Sequence, residues 1–125
     1  YKRQVLVDDS IVRGTTTTQI THMLREAGAT EVHIRISSPP FINPCYFGTD
    51  IDSKDKLIAC RMSLEEIRKT LDADSLGYLS LEHLQQIAQV TTGCGFCMGC
   101  FTGEYPIEVP EETPCDKFSQ KLCNN

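Results

Sequence analysis

Two carboxylates, Asp8 and Asp9, stand side by side after the apolar run Val5-Leu-Val7 and before Ser10-Ile-Val-Arg-Gly-Thr-Thr16. Adjacent acids suit a divalent cation or sugar hydroxyls. A loop with one glycine and several hydroxyls that opens a helix suits a phosphate. Gly14 lets the backbone approach closely, and the first helical turn offers free N–H groups and the positive end of the dipole. Acids and a phosphate cradle repel one another unless the ligand has two different ends. A sugar phosphate has them, its phosphate in the threonine loop and its hydroxyls, or a Mg²⁺ bound to them, on the carboxylates.

Two other readings of the acid pair carry less weight. A capped strand-to-helix turn with solvated acids needs no ligand at all. A phosphoacceptor receiver needs an acidic acceptor after a third apolar strand, and the region around Asp50 and Asp52 is polar. A P-loop is excluded because no Gly-Lys-Ser/Thr ends the loop.

The seven cysteines are the second source of chemistry. Cys94, Cys97 and Cys100 are spaced so that one loop can wrap a [4Fe–4S] cube, while zinc sites use the same spacing and an unligated loop is the plain alternative. From the residues alone, Cys45 completes a set of four with them. Cys60 reads as a small buried hydrophobe, and Cys115 and Cys123 as free thiols of a polar tail. An odd count with no secretory signal favours reduced thiols over a disulfide scaffold.

The elements that must position these groups follow from periodicity. Residues 4–8 read as a buried strand of a parallel sheet. A helix is expected over Thr16–Ala27, where Ile20, Met23, Leu24 and Ala27 share a face and Gly28 supplies the cap. Val32–Ile36 alternates as a second strand with His33 and Arg35 on its polar face, completing a βαβ unit with a right-handed crossover. Ser37 to Gly48 is loop. Ser63 and Glu66 form a capping box for a helix whose inner face is Leu64, Ile67 and Leu71. A short third strand is expected over Gly77–Leu79, then a helix capped by Ser80 and carrying Leu84, Ile87 and Ala88. His22 reads as an exposed helical residue and His83 as a residue without a partner. From Thr91 periodicity ends. The organisation expected is residues 1–90 as part of an α/β domain and 91–125 as a cysteine-rich tail, cluster-binding and then disordered.

At 125 residues and 40% apolar, the chain fits one domain or a piece of one. A net charge of −5 with scattered basic residues argues against nucleic acid or an anionic membrane as partner, and no apolar run has spanning length. The opening directly on a strand without Met reads as a piece of a longer protein.

The stretch Val5 to Thr16 closely resembles the phosphoribosyl pyrophosphate (PRPP) motif of type I phosphoribosyltransferases. Leu24 to Pro40, Pro44-Cys-Tyr-Phe-Gly48 and Cys100-Phe-Thr-Gly-Glu-Tyr-Pro106 resemble the glutamine PRPP amidotransferases. The likeness covers residues 2 to about 108 and its motifs are specific to that family.

It implies a type I phosphoribosyltransferase fold and transfer of glutamine-derived ammonia to PRPP, giving 5-phosphoribosylamine and pyrophosphate. By the resemblance, Asp8 and Asp9 bind ribose hydroxyls and Mg²⁺, and Ser10, Ile11, Val12, Arg13, Gly14, Thr15 and Thr16 hold PRPP. The same likeness assigns a [4Fe–4S] cluster to Cys45, Cys97 and Cys100, with a fourth cysteine upstream and Cys94 a neighbour. It also implies a glutaminase nucleophile outside this chain, purine mononucleotides as inhibitors, a homotetramer and a cytoplasmic setting. The alternative is a non-enzymatic nucleotide-sensing or metal-binding module built on the same phosphoribosyl site.

Overall fold

The computed structural model describes residues 2–49, 51, 53–92 and 95–109. Cys94, Cys115, Cys123, Asp50 and Asp52 fall outside the described residues. Strands β1 (Arg3–Asp8), β2 (Glu31–Ile36) and β3 (Ser75–Tyr78) pair in parallel in the order β1-β2-β3. Parallel neighbours cannot be joined by a tight turn, so each pair encloses a crossover. Helix α1 (Thr15–Glu26) links β1 to β2. A 3₁₀ turn (Lys54–Lys56), α2 (Ile58–Arg61) and α3 (Leu64–Thr70) link β2 to β3, and α4 (Leu81–Thr92) and α5 (Gly99–Thr102) follow. Asp8 pairs with Ile36, and Ile36 with Tyr78, so the three strands end level at one carboxyl edge.

β2 is the central strand. Its Val32, Ile34 and Ile36 are buried with Ile11, Ile58, Ile67, Leu71 and Ala73 in the main core, each large side chain contributing about 1.5–3 kcal/mol on burial. β1 departs from the expected buried strand. Leu6 packs on the core, but Val5 and Val7 are 64% and 69% exposed, because among the described residues nothing covers the opposite face of the sheet. That face carries Glu31, His33 and Arg35 as expected: the His33 ring meets Ser75 and Glu31, and Arg35 donates to Ser75 Oγ.

α1 begins one residue earlier than periodicity indicates, and its inward face keeps Leu24 as expected but is otherwise shifted. Thr17 and Thr21 are buried, whereas Met23 is 65% exposed and Ala27 lies at the surface. Threonine tolerates the core here because its hydroxyl bonds back along the helix: Thr21 Oγ1 donates to Thr17 O at 2.9 Å. Gly28 closes the helix at φ +96°, with its N–H donating to Arg25 O and that of Ala29 to Leu24 O, a Schellman arrangement.

The capping box of α3 forms: Ser63 N–H donates to Glu66 Oε2 at 2.7 Å and Ser63 Oγ accepts from Glu66 N–H. Ile67 and Leu71 point inward, but Leu64, in the first turn, is 52% exposed. Arg25 ties these layers together. Its guanidinium donates to Asp72 Oδ2, Asp72 O, Asp74 Oδ2 and Thr30 O, while Asp74 Oδ2 also accepts from Val32 N–H. A second core of Phe41, Ile51 and Leu57 gathers the loop after β2.

Candidate phosphate-binding edge and cysteine pocket

Ligands of open α/β sheets bind beyond the carboxyl ends of strands, and the acid pair sits there. β1 ends at Asp8, whose carbonyl is held by Ser37 just past β2, through the N–H at 3.0 Å and the hydroxyl at 3.2 Å. Asp8 Oδ1 accepts from Asp9 N–H at 2.9 Å, and Ser10 Oγ donates to Asp9 Oδ1 at 3.2 Å. The two carboxylates are thus part of a braced turn, with Asp9 open to solvent.

The loop then splits its residues between core and surface. Ile11 is 2% exposed, Val12 packs on the second core, and Arg13, Thr15 and Thr16 face outward. Gly14 is the N-cap of α1 at φ +84°, and no side chain caps the helix. Its first turn contains no acid, so nothing there opposes an anion. Thr18 seals the turn from within, its N–H and hydroxyl both donating to Gly14 O. Spacing alone does not reveal what lies behind the loop. Ile58 N–H donates to Val12 O at 2.9 Å, and a Cβ on Gly14 would stand 2.8 Å from Ile58 Cδ1.

Cys45 and Cys97 both lie near enough to Cys100 to influence its thiol. The two cysteine segments are stitched by protein contacts: Ile42 and Asn43 N–H both donate to Cys100 O at 3.0 Å, and Tyr105 OH donates to Pro44 O at 2.7 Å. Phe41 and Phe101 stack with centroids 4.9 Å apart, and Tyr46 meets the Tyr105 ring edge-on.

Cys45 and Cys100 are half-buried against the second core, and Cys97 is exposed in a cleft of about 640 Å³ beside Tyr105 and Leu81. Burial pushes the Cys100 thiol up, and the neighbouring Cys45 and then Cys97 add to it. Burial raises the Cys45 thiol too, but hydrogen bonds from Phe47, Thr49 and Gly48 outweigh it and leave that thiol below its ordinary value. Among the described residues, no three of His, Cys, Asp or Glu stand close enough to hold a single metal ion.

Other residues fall as follows. Cys60 is exposed rather than buried, its thiol donating to Ile42 O at 3.3 Å, because α2 presents Ile58 and not Cys60 to the core. His83 has a partner after all: its Nδ1 lies 2.9 Å from Ser80 Oγ, which also caps the helix by accepting from His83 N–H. His22 is exposed as expected and faces Glu26. Tyr105, which the sequence showed only as part of a family motif, proves to be the clasp of the cysteine pocket.

No protein-family model matches the chain. It is 53% identical over 115 residues to the amidophosphoribosyltransferase of Bacillus subtilis, covering 90% of this chain and 24% of that enzyme. It is 53% identical over 116 residues to that of Archaeoglobus fulgidus, covering 91% and 25%. Over this length the chain is homologous to amidophosphoribosyltransferases. It spans about a quarter of the length of these curated relatives.

Among solved structures, the Bacillus subtilis glutamine PRPP amidotransferase complexed with ADP and GMP matches with a TM-score of 0.79 at 52% identity, covering 89% of this chain and 25% of that one. A structure described as the allosteric regulatory enzyme of purine biosynthesis matches with a TM-score of 0.79 at 49% identity, covering 89% and 24%. The three-stranded parallel sheet with flanking helices is the phosphoribosyltransferase-type α/β arrangement expected of the sequence.

Proposed function

We propose that this chain is the phosphoribosyl-holding part of an amidophosphoribosyltransferase, the enzyme that joins glutamine-derived ammonia to carbon 1 of PRPP in the first committed step of purine synthesis. One observation bears most of the weight: Asp8 closes a parallel strand and Asp9 follows it, ahead of a glycine-led, uncapped helix entrance. In this reading Ser10, Ile11, Val12, Arg13, Gly14, Thr15 and Thr16 surround the 5-phosphate through backbone N–H groups and hydroxyls, and Asp8 and Asp9 take the ribose hydroxyls.

As the bond from carbon 1 to pyrophosphate breaks, positive charge builds on the sugar, and fixed carboxylates nearby stabilise it. The ammonia lone pair forms the new carbon–nitrogen bond, and the resulting ammonium loses one proton to water. No side chain of this chain needs to be a nucleophile. Positioning and electrostatics do the work. The residues fit Mg²⁺, since two adjacent carboxylates offer the hard oxygens it prefers, and when bound it neutralises charge on the leaving pyrophosphate.

By the family likeness, Cys45, Cys97, Cys100 and a cysteine outside this chain would hold a [4Fe–4S] cluster. Cys45 and Cys97 stand near Cys100, and in a cube each thiolate would bind its own iron. Its role would be structural, since ammonia transfer moves no electrons. We carry over purine mononucleotides as inhibitors because the Bacillus subtilis relative was solved with ADP and GMP. Glutamine as co-substrate, a homotetramer, a cytoplasmic setting and the division at residues 90 and 91 belong to the same proposal. No helix of the described residues is long and apolar enough to cross a membrane.

The test is ammonia-dependent synthesis of phosphoribosylamine by the full-length protein. Replacing both Asp8 and Asp9 with Asn keeps their shape and should cost roughly 10² or more in rate. A double variant with near-normal turnover would sink the assignment.

A further inference from the structure

We infer that Leu57-Ile58 is a positioning element for the phosphate loop, fixing from behind the shape in which Val12 to Thr16 meet a phosphate; this rests on the phosphoribosyl reading above. Three features of the loop, two of Val12 and one of Gly14, end on this dipeptide. Val12 O accepts from Ile58 N–H at 2.9 Å, which turns that carbonyl oxygen toward α2. A carbonyl left pointing at an anion would repel it, so this bond leaves the loop to present N–H groups. The Val12 side chain packs in the second core that contains Leu57, which is fully buried. Gly14, held at φ +84°, lies so close to Ile58 Cδ1 that a Cβ there would stand 2.8 Å away.

Ile58 itself is 2% exposed and packs in the main core, while Leu57 packs in the second with Cys45, Cys100 and Phe101. The two residues therefore pin the loop at the junction of both cores. Neither touches the space in front of the loop where a ligand would sit, so their influence on binding runs through Val12 and Gly14. An ordinary core role for Ile58 predicts something else: lower stability with unchanged affinity. The two roles separate in a double-mutant cycle.

The experiment uses the full-length protein, with ribose 5-phosphate and PRPP binding measured by calorimetry and the melting temperature followed in parallel. Ile58→Val removes only the methyl that meets Gly14. It should weaken both ligands about threefold to tenfold, with the melting temperature lowered only as far as the loss of one buried methylene accounts for. Ile58→Leu, which keeps a δ-carbon, should stay within about twofold of the parent protein. Gly14→Ala should weaken binding more, through its backbone strain and the contact with Ile58. Combined with Ile58→Val it should weaken binding less than the product of the two effects, because the contact is gone. Independent, multiplicative effects would overturn the positioning role, as would an Ile58→Val protein that melts lower but binds normally. A Gly14→Ala protein that binds both ligands normally would overturn the phosphate-loop reading as well.

Discussion

Gly99 offers a clean way to open the cysteine pocket without touching a cysteine. It is buried at the start of α5, and a Cβ placed on it would fall within the ring of Tyr105. Its backbone φ is not in the left-handed region, so Gly99→Ala acts through collision alone. The ring cannot stay. Displaced, it loses the hydrogen bond to Pro44 O and its edge contacts with Tyr46 and Phe47.

The hydrogen bond is worth about 0.5–1.5 kcal/mol and each aromatic pair about the same, a loss of about 1.5–4.5 kcal/mol. Alanine returns about 1 kcal/mol of helix propensity, leaving about 0.5–3.5 kcal/mol. A global unfolding curve of a multidomain enzyme would blur this. Hydrogen exchange reads it locally, through the amides of Ile42 and Asn43 that donate to Cys100 O. At about 1.4 kcal/mol per tenfold, those two amides should exchange about twofold to 300-fold faster in Gly99→Ala. Tyr105→Phe, which loses only the hydrogen bond, should lie at the lower end. Unchanged exchange in Gly99→Ala would refute the role given to Tyr105 as the clasp.

Two further outcomes follow from local geometry. Gly28 has φ +96° with no atom within 4 Å of where a Cβ would be, so Gly28→Ala meets only backbone strain and should cost about 1 kcal/mol. A melting temperature equal to the parent's would contradict the cap. The Asp74 carboxylate accepts from Val32 N–H and then from Arg25, and both hold its pKa below the usual value. A depressed carboxylate contributes stability that is complete above the unfolded value of about 3.9 and disappears as pH falls through the folded one. Asp74→Asn should flatten that acid limb in a circular-dichroism titration; parallel curves for the two proteins would argue against it.

Short-range rules made much of this molecule legible. Ser63 and Glu66 announce a helix start three residues apart, and Gly28 announces a helix end, because each rule involves atoms within one turn. Asp8, Asp9 and the loop could be placed at the carboxyl edge of the sheet because strand end and helix start are neighbours in sequence. The inward face of α1 could not. Thr17 and Thr21 look polar, yet both are buried, and the Thr21 hydroxyl is satisfied by Thr17 O on the helix itself, which frees its methyl group for the core. Val5 and Val7 read as buried because an apolar strand promises two covers, and only one lies among the described residues. Ile58 was invisible for another reason. Its partners Val12 and Gly14 are more than forty residues earlier, and no periodicity encodes a contact of that kind.

The strand order has a temporal side. Because β1, β2 and β3 are neighbours in the order of synthesis, each strand of a growing chain finds its partner already made. The pocket that gathers Cys45 and Cys100 works the other way, joining segments more than fifty residues apart across all of β3 and α4. A ribosome therefore delivers the sheet and the loop from Ser10 to Thr16 before Cys97 and Cys100 exist. A cluster of the kind proposed for these thiols would be acquired by a chain in which the edge at Asp8 and Asp9 is already in place.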